Sequence, residues 1–293
     1  MEEDYFLDYL RLEKNYSEAT IASYRNDLNQ FKEYVCGLDD GLNLVNADTD
    51  VVRDWISQLM NEGYRASSVN RKLSTLRSFY RYLLKNGIVE VDPMRRVSGL
   101  AKKKVIPVFL RERQMEELLE ETDFGSGYSA CLDKTIVETL YATGMRSAEV
   151  RGLDDKDVDL QAGLFKVTGK RNKQRLVPFA ESLRQVLEEY LRIRNEEVPN
   201  RESAFFVNKK GERLTRGVLY NLVRKNLSKV TVQQKRSPHV LRHTFATQML
   251  NHGAELKAIK ELLGHASLTT TEVYTHTTFE ELKKVYKQAH PRA

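Results

Sequence analysis

The chain has 293 residues, 41% hydrophobic and 30% charged, with six Pro and fifteen Gly, which excludes general disorder and leaves room for two domains with separate cores. Apolar runs fall well short of the roughly eighteen residues of a membrane span, and the acidic start Met1-Glu2-Glu3-Asp4 is unlike a signal peptide, so a cytoplasmic protein without membrane insertion is expected. Cys36 and Cys131 have no CxxC or Cys/His spacing, so no disulfide, metal or other cofactor is expected. The net charge of +6 is unevenly placed: residues 1–64 hold five Lys/Arg against fourteen Asp/Glu, and residues 65–104 hold eleven against two. An acidic block beside a basic one suits a molecule turning one face to solvent and another to a polyanion, although a solvated charge run has the same composition.

In chain order, a short helix is expected over Asp4–Arg11, and Ser17 can cap a second that carries Ile21, Tyr24, Leu28, Phe31 and Tyr34 at helical spacing. A third helix starts near Asp48 or Thr49, buries Val52, Trp55, Ile56 and Leu59, and stops at Gly63. A fourth runs from about Ser67 to Asn86, with Val69, Leu73, Leu76, Tyr80, Leu83 and Leu84 in one sector. Its opposite sector carries Arg71, Ser74, Ser78, Arg81 and Lys85, side-chain types that bond phosphate oxygens along a nucleic-acid backbone. Residues 1–86 therefore read as an all-helical domain.

Over residues 87–106 the periodicity fades, and Asp92-Pro93, Ser98-Gly99 and Lys102-Lys103-Lys104 mark a basic linker. The second domain, 107–293, opens with helices near Glu112–Glu121 and Ala130–Ala142. Strands over Asp157–Thr168 and Gln174–Pro178 then flank a hairpin-type connection, Gly169-Lys170-Arg171-Asn172. Helical patterns resume at Ser182–Asn195 and continue to the end, so the fold class is mainly α with a small antiparallel sheet.

Within this domain Ser237-Pro238 is a cap and first-turn pair that puts His239 and Arg242 on one face at a helix start, where free N–H groups and the positive dipole end favour a phosphate. A helix over Glu255–Leu263 stops at Gly264, and His265, the cap candidate Ser267 and Tyr274 follow. This succession also fits a helix-turn-helix, the basis of a competing reading as a non-catalytic DNA-binding regulator. Taken singly, His-x-x-Arg is more often a solvent-facing pair, and Tyr274 is one of fourteen tyrosines.

The order Ala142-Thr143-Gly144-Met145-Arg146-Ser147-Ala148-Glu149, Gly169-Lys170, His239-x-x-Arg242, Leu262-Leu263-Gly264-His265 and Tyr274 resembles the signature of the tyrosine recombinase, or phage integrase, family, and most closely its Xer branch. Met145, Ser147-Ala148 and Lys170-Arg171-Asn172-Lys173 depart mildly from the family wording without removing a reactive group. The resemblance implies a two-domain DNA clamp, with 1–86 as core-binding domain and 107–293 as catalytic domain. It implies cleavage and rejoining of duplex DNA through a 3′-phosphotyrosyl link to Tyr274, with a clamp of Arg146 and Arg242, His239 as general acid/base, Lys170 as acid toward the leaving 5′ oxygen and His265 as a hydrogen-bond donor. Arg171 and Lys173, with Lys235 and Arg236 less firmly, are expected on phosphates alongside Arg71, Ser74, Ser78, Arg81 and Lys85.

Four copies, alike or paired with a second recombinase, would work on double-stranded DNA with paired half-sites, and an FtsK-type translocase would be a regulatory partner. No arm-binding domain precedes residue 1, which favours resolution of chromosome dimers over the integrase of a mobile element. The tail, 278–293, carries Phe279, Leu282, Val285 and Tyr286 at helical spacing and is expected to dock into a neighbouring protomer, the alternative being to pack on its own domain.

Overall fold

A computed structural model describes residues 2–101, 108–169, 173–264 and 276–292, with the side chains of 276–279 excepted. The chain divides into two compact units, Met1–Val105 and Ile106–Ala293.

The first unit holds α1 (Glu2–Leu12), α2 (Glu18–Leu38), α3 (Thr49–Asn61) and α4 (Ala66–Lys85). The local chemistry sets the starts: Ser17 accepts from the Thr20 amide ahead of α2, and Asp48 accepts from the Asp50 and Val51 amides, both at 2.9 Å, ahead of α3. The apolar faces meet in one core, with Phe31 against Trp55 at 4.8 Å between ring centres and Phe6 edge-on to Phe79 at 5.4 Å. Part of the expected linker folds onto this core: Pro93–Arg96 forms a 3-10 turn capped by Asp92, and Met94 and Val97 are buried. The polar look of 87–101 concealed two apolar anchors, and Asn70 fastens the segment by exchanging hydrogen bonds with Leu100.

The second unit begins with α5 (Glu112–Glu116), extended by one π turn over Glu117–Glu121, and α6 (Gly127–Thr143). α6 is buried almost throughout its second half and forms the spine of the domain, packed by α8 (Glu181–Glu197), α9 (Arg216–Leu227) and α10 (Pro238–Asn251). After α7 (Ser147–Gly152) comes an antiparallel sheet of β1 (Val158–Asp159), β2 (Leu164–Thr168) and β3 (Gln174–Pro178), in that order. The single strand expected over Asp157–Thr168 is thus two, because Asp159 accepts from the Ala162 amide at 2.8 Å and turns the chain. β2 pairs β3 with Phe165 opposite Val177 and Val167 opposite Arg175.

The chain ends in α11 (Leu256–Leu263) and α12 (His276–Ala289). The tail packs on its own unit in this structure. Leu282, Tyr286 and Ala289 are buried against Phe245, Met249, Ile259 and Leu262 of the same unit, because α10 and α11 already form an apolar groove for them. His290 is enclosed by Tyr141, Phe245 and Tyr286, and Arg292 closes the end with ion pairs to Glu120 and Glu138, each at 2.8 Å.

Candidate active site

Three of the expected site residues, Arg146, His239 and Arg242, fall at places set by helix ends. α6 stops at Gly144, whose φ of 60° lies in the left-handed region. A Cβ there would stand 2.6 Å from Phe245 and 2.7 Å from Leu263, so only glycine lets α6 end this close to α10 and α11. Two residues on, Arg146 caps α7 with extended backbone, and its amide donates to Glu149 Oε2 at 2.7 Å. Arg242 sits on the second turn of α10, one turn beyond exposed His239, with Ser237 and Pro238 at the cap and first position as expected.

The arginines converge on the end of α11, where the carbonyls of Leu262, Leu263 and Gly264 each accept from a different guanidinium. Arg175 Nε donates to Leu262 at 3.1 Å, Arg242 Nη2 to Leu263 at 2.7 Å, and Arg146 Nη2 to Gly264 at 3.0 Å. Cations belong at a helix C-terminus, where unpaired carbonyls and the negative dipole end meet them. Gly264, in the left-handed conformation at φ 64°, makes the row possible, since a Cβ there would press on the Arg175 guanidinium at 3.0 Å. Arg242 also donates to the Gly144 carbonyl at 2.7 Å.

Glu149 supplies the negative charge beneath this cluster. It is buried and accepts from Arg146 Nη1 at 2.8 Å and from both Arg175 terminal nitrogens at 2.9 and 3.0 Å. Burial alone would raise its carboxyl, but Arg175 and then Arg146 outweigh that and hold it below the ordinary carboxylate range. Burial, reinforced by the charge of Arg146, pulls Arg242 down to about 10, so it stays charged at neutral pH in a setting that favours an anion.

Lys170, Arg171, His265 and Tyr274 lie outside the described residues. Their described neighbours border the cluster. Gly169, before Lys170, donates to the Lys173 carbonyl at 2.8 Å, and a Cβ on it would stand 3.7 Å from Glu149 Oε1. Gly264, before His265, carries the carbonyl that holds Arg146. Lys173 is exposed, as are Lys235 and His239, and Arg236 is half-buried.

In the first unit, exposed Arg71 bonds Ser23 and buried Asp27, which also accepts from Lys72 and from Thr75 at 2.8 Å. Arg81 and Lys85 are exposed, whereas Ser74 turns its hydroxyl to the Asn70 carbonyl at 2.9 Å and half-buried Ser78 bonds Tyr24. The cationic face of α4 is therefore present, and both hydroxyls are hydrogen-bonded within the unit, that of Ser74 at the exposed surface.

Arg175 and the Asp27–Lys72 pair were missed in the sequence. The signal for Arg175 was available: strand alternation puts it on the same face as Val177, which is buried.

The phage integrase family model matches residues 108–281, and the model of the family's N-terminal SAM-like domain matches residues 4–87. The chain belongs to the phage integrase family of tyrosine recombinases, enzymes that cleave and rejoin DNA, and the non-catalytic regulator reading is thereby overturned. Among its relatives, the chain is 39% identical to tyrosine recombinase XerC of Pelotomaculum thermopropionicum, over 99% of this chain and 98% of that one. It is 40% identical to tyrosine recombinase XerD of Pseudomonas aeruginosa, over 99% and 97%. The structure of the XerH site-specific recombinase in a post-cleavage complex with a palindromic difH substrate is similar at a TM-score of 0.73, with 25% identity over 96% of this chain and 83% of that one. Among the described residues, no helix is long and apolar enough to cross a membrane.

Proposed function

We propose that the chain is a Xer-type site-specific recombinase acting in the cytoplasm on chromosome dimers at cell division, with Tyr274 as its nucleophile. A phosphodiester resists attack because it is anionic, so the barrier falls when charge on its non-bridging oxygens is met by fixed donors. Arg146 and Arg242 supply those donors. The Tyr274 phenolic oxygen attacks phosphorus as the bond to the 5′ oxygen breaks. The phenol proton passes to His239, Lys170 protonates the departing 5′ oxygen, and His265 donates to the phosphate. The resulting 3′-phosphotyrosyl ester keeps the bond energy, so rejoining needs no ATP.

The observation that carries this reading is the convergence of Arg146 and Arg242 on the helix end from which the chain continues to His265 and Tyr274, with the residue before Lys170 beside the same carboxylate. Arg71, Arg81, Lys85, Arg171 and Lys173 would hold the DNA backbone, with Ser74 and Ser78 only if their present bonds are exchanged. Copies would assemble as a tetramer, with themselves or with a second recombinase, on paired half-sites under an FtsK-type translocase. Near-full-length likeness to both XerC and XerD relatives supports the role.

The test uses a nicked suicide duplex carrying the site selected from random DNA by the purified chain. Wild type should leave DNA attached to protein after denaturation, and Tyr274→Phe should bind without attaching. An adduct that persists in Tyr274→Phe places the nucleophile elsewhere.

A further inference from the structure

Arg175 is a cation of this site for which the scheme above has no chemical task. Its side chain is 8% exposed, and its guanidinium joins three elements: β3, on which it sits, α7 through Glu149, and α11 through Leu262. Both partners lead to the clamp. Glu149 fixes Arg146 through side chain and amide together, and Leu262 shares one helix end with the carbonyls that hold Arg242 and Arg146. A buried ion pair is a weak source of stability, because apolar side chains of similar volume pack as well or better. What the guanidinium fork offers is direction, since it fixes two carboxylate oxygens and a carbonyl in one plane.

We propose that Arg175 is a positioning residue for cleavage. It sets the angle at which Arg146 and Arg242 meet the scissile phosphate, and the point from which the segment bearing His265 and Tyr274 leaves α11. The proposal rests on the reading of Arg146, Arg242 and Tyr274 given above.

Its test compares wild type, Arg175→Lys, Arg175→Ala, Arg242→Ala and the Arg175→Ala/Arg242→Ala double variant on the nicked duplex. A second duplex carries a methylphosphonate at the scissile position. That phosphonate is neutral, so a misplaced charge clamp matters less to it. Single-turnover cleavage of the ordinary duplex should fall about 100-fold in both Arg175 variants, the order expected for misplaced reacting groups, while affinity stays within about threefold. The defect should shrink at least about tenfold on the methylphosphonate, as for Arg242→Ala, and the double variant should be no slower than Arg242→Ala alone.

A wild-type rate in Arg175→Lys overturns the proposal. So does a defect of equal size on both duplexes, or one that adds in full to that of Arg242→Ala, because a merely structural role predicts both. If Arg175→Ala fails to fold, as judged by thermal melting, Arg175→Lys and its double variant with Arg242→Ala decide by the same readouts. A wild-type chain that forms no adduct, or an active Tyr274→Phe, overturns the reading of the site itself, whereas active wild type with Arg175 variants equal to it removes only the positioning role.

Discussion

Each unit holds arginine on a buried carboxylate, but they treat the cation differently. In the first, Asp27 on α2 anchors Arg71, Lys72 and Thr75 of α4, and the Arg71 side chain stays 49% exposed. In the second, Glu149 anchors Arg146 and Arg175, while backbone carbonyls of a helix end take up further guanidinium donors, so the groups are fixed on several sides. A charge used to bind a backbone tolerates movement, because each phosphate resembles the next. A charge used on a transition state must already be in place when the reaction begins. On the proposed function, the two anchors would be one device serving these separate demands.

The largest test of that contrast is Arg242→Ala. Losing one fixed donor should lower single-turnover cleavage about 100- to 1,000-fold with only a modest loss of affinity, measured on the nicked duplex. Parallel losses of affinity and cleavage would make Arg242 an ordinary contact.

Removing the anchors comes next. Asp27→Ala leaves buried Lys72 without its carboxylate and Glu149→Ala leaves Arg175 so, each costing about 3–5 kcal/mol of stability by analogy with other broken buried pairs, read from denaturant melts. Asp27→Ala should weaken binding and spare the rate of bound DNA, and Glu149→Ala should do the reverse. Equal effects on both readouts would erase the distinction between the units.

A smaller effect is expected from Arg71→Ala, which should weaken binding alike across DNA sequences and lower the salt dependence of affinity by about one counterion, with cleavage at saturating DNA unchanged. Sequence-selective weakening would point to base contacts instead.

The smallest concerns acid. Burial, then the charge of Arg292, pulls His290 down to about 3, so between there and the ordinary histidine range the unfolded chain binds a proton that the folded chain refuses. Stability is therefore lost as pH falls through that window, by at most about 1.4 kcal/mol per pH unit. The first unit contains no histidine, so this acid sensitivity should appear only in the second. His290→Phe should flatten the slope between pH 6 and pH 4, and an unchanged slope would assign the sensitivity to carboxylates.

Legibility followed the range of the interaction. Ser17, Asp48 and Gly264 act on residues within a turn of themselves, so the starts of α2 and α3 and the stop of α11 were readable. The cap pair Ser237-Pro238 made the placing of His239 and Arg242 at the start of α10 readable, whereas Arg146 was picked out only by the family resemblance. Asp27 was not readable as an anchor, since its partners lie 44–48 residues away on α4. Strand alternation puts Arg175 on the face of buried Val177, but periodicity cannot show that Glu149 waits beneath it. The tail's apolar stripe was plain, but a stripe does not say which groove receives it, and here the groove between α10 and α11 lies in the same unit.

The row of carbonyls on α11 also bears on how the enzyme is made. Arg146 meets its acceptor across 118 residues of chain, Arg242 meets Gly144 across 98, and Arg175 meets Leu262 across 87. Closing such long loops is slow and is rewarded only when all the partners have arrived. During synthesis Arg146, Arg175 and Arg242 therefore leave the ribosome before the carbonyls that fix them, and a chain clipped ahead of Gly264 lacks the acceptor that holds Arg146.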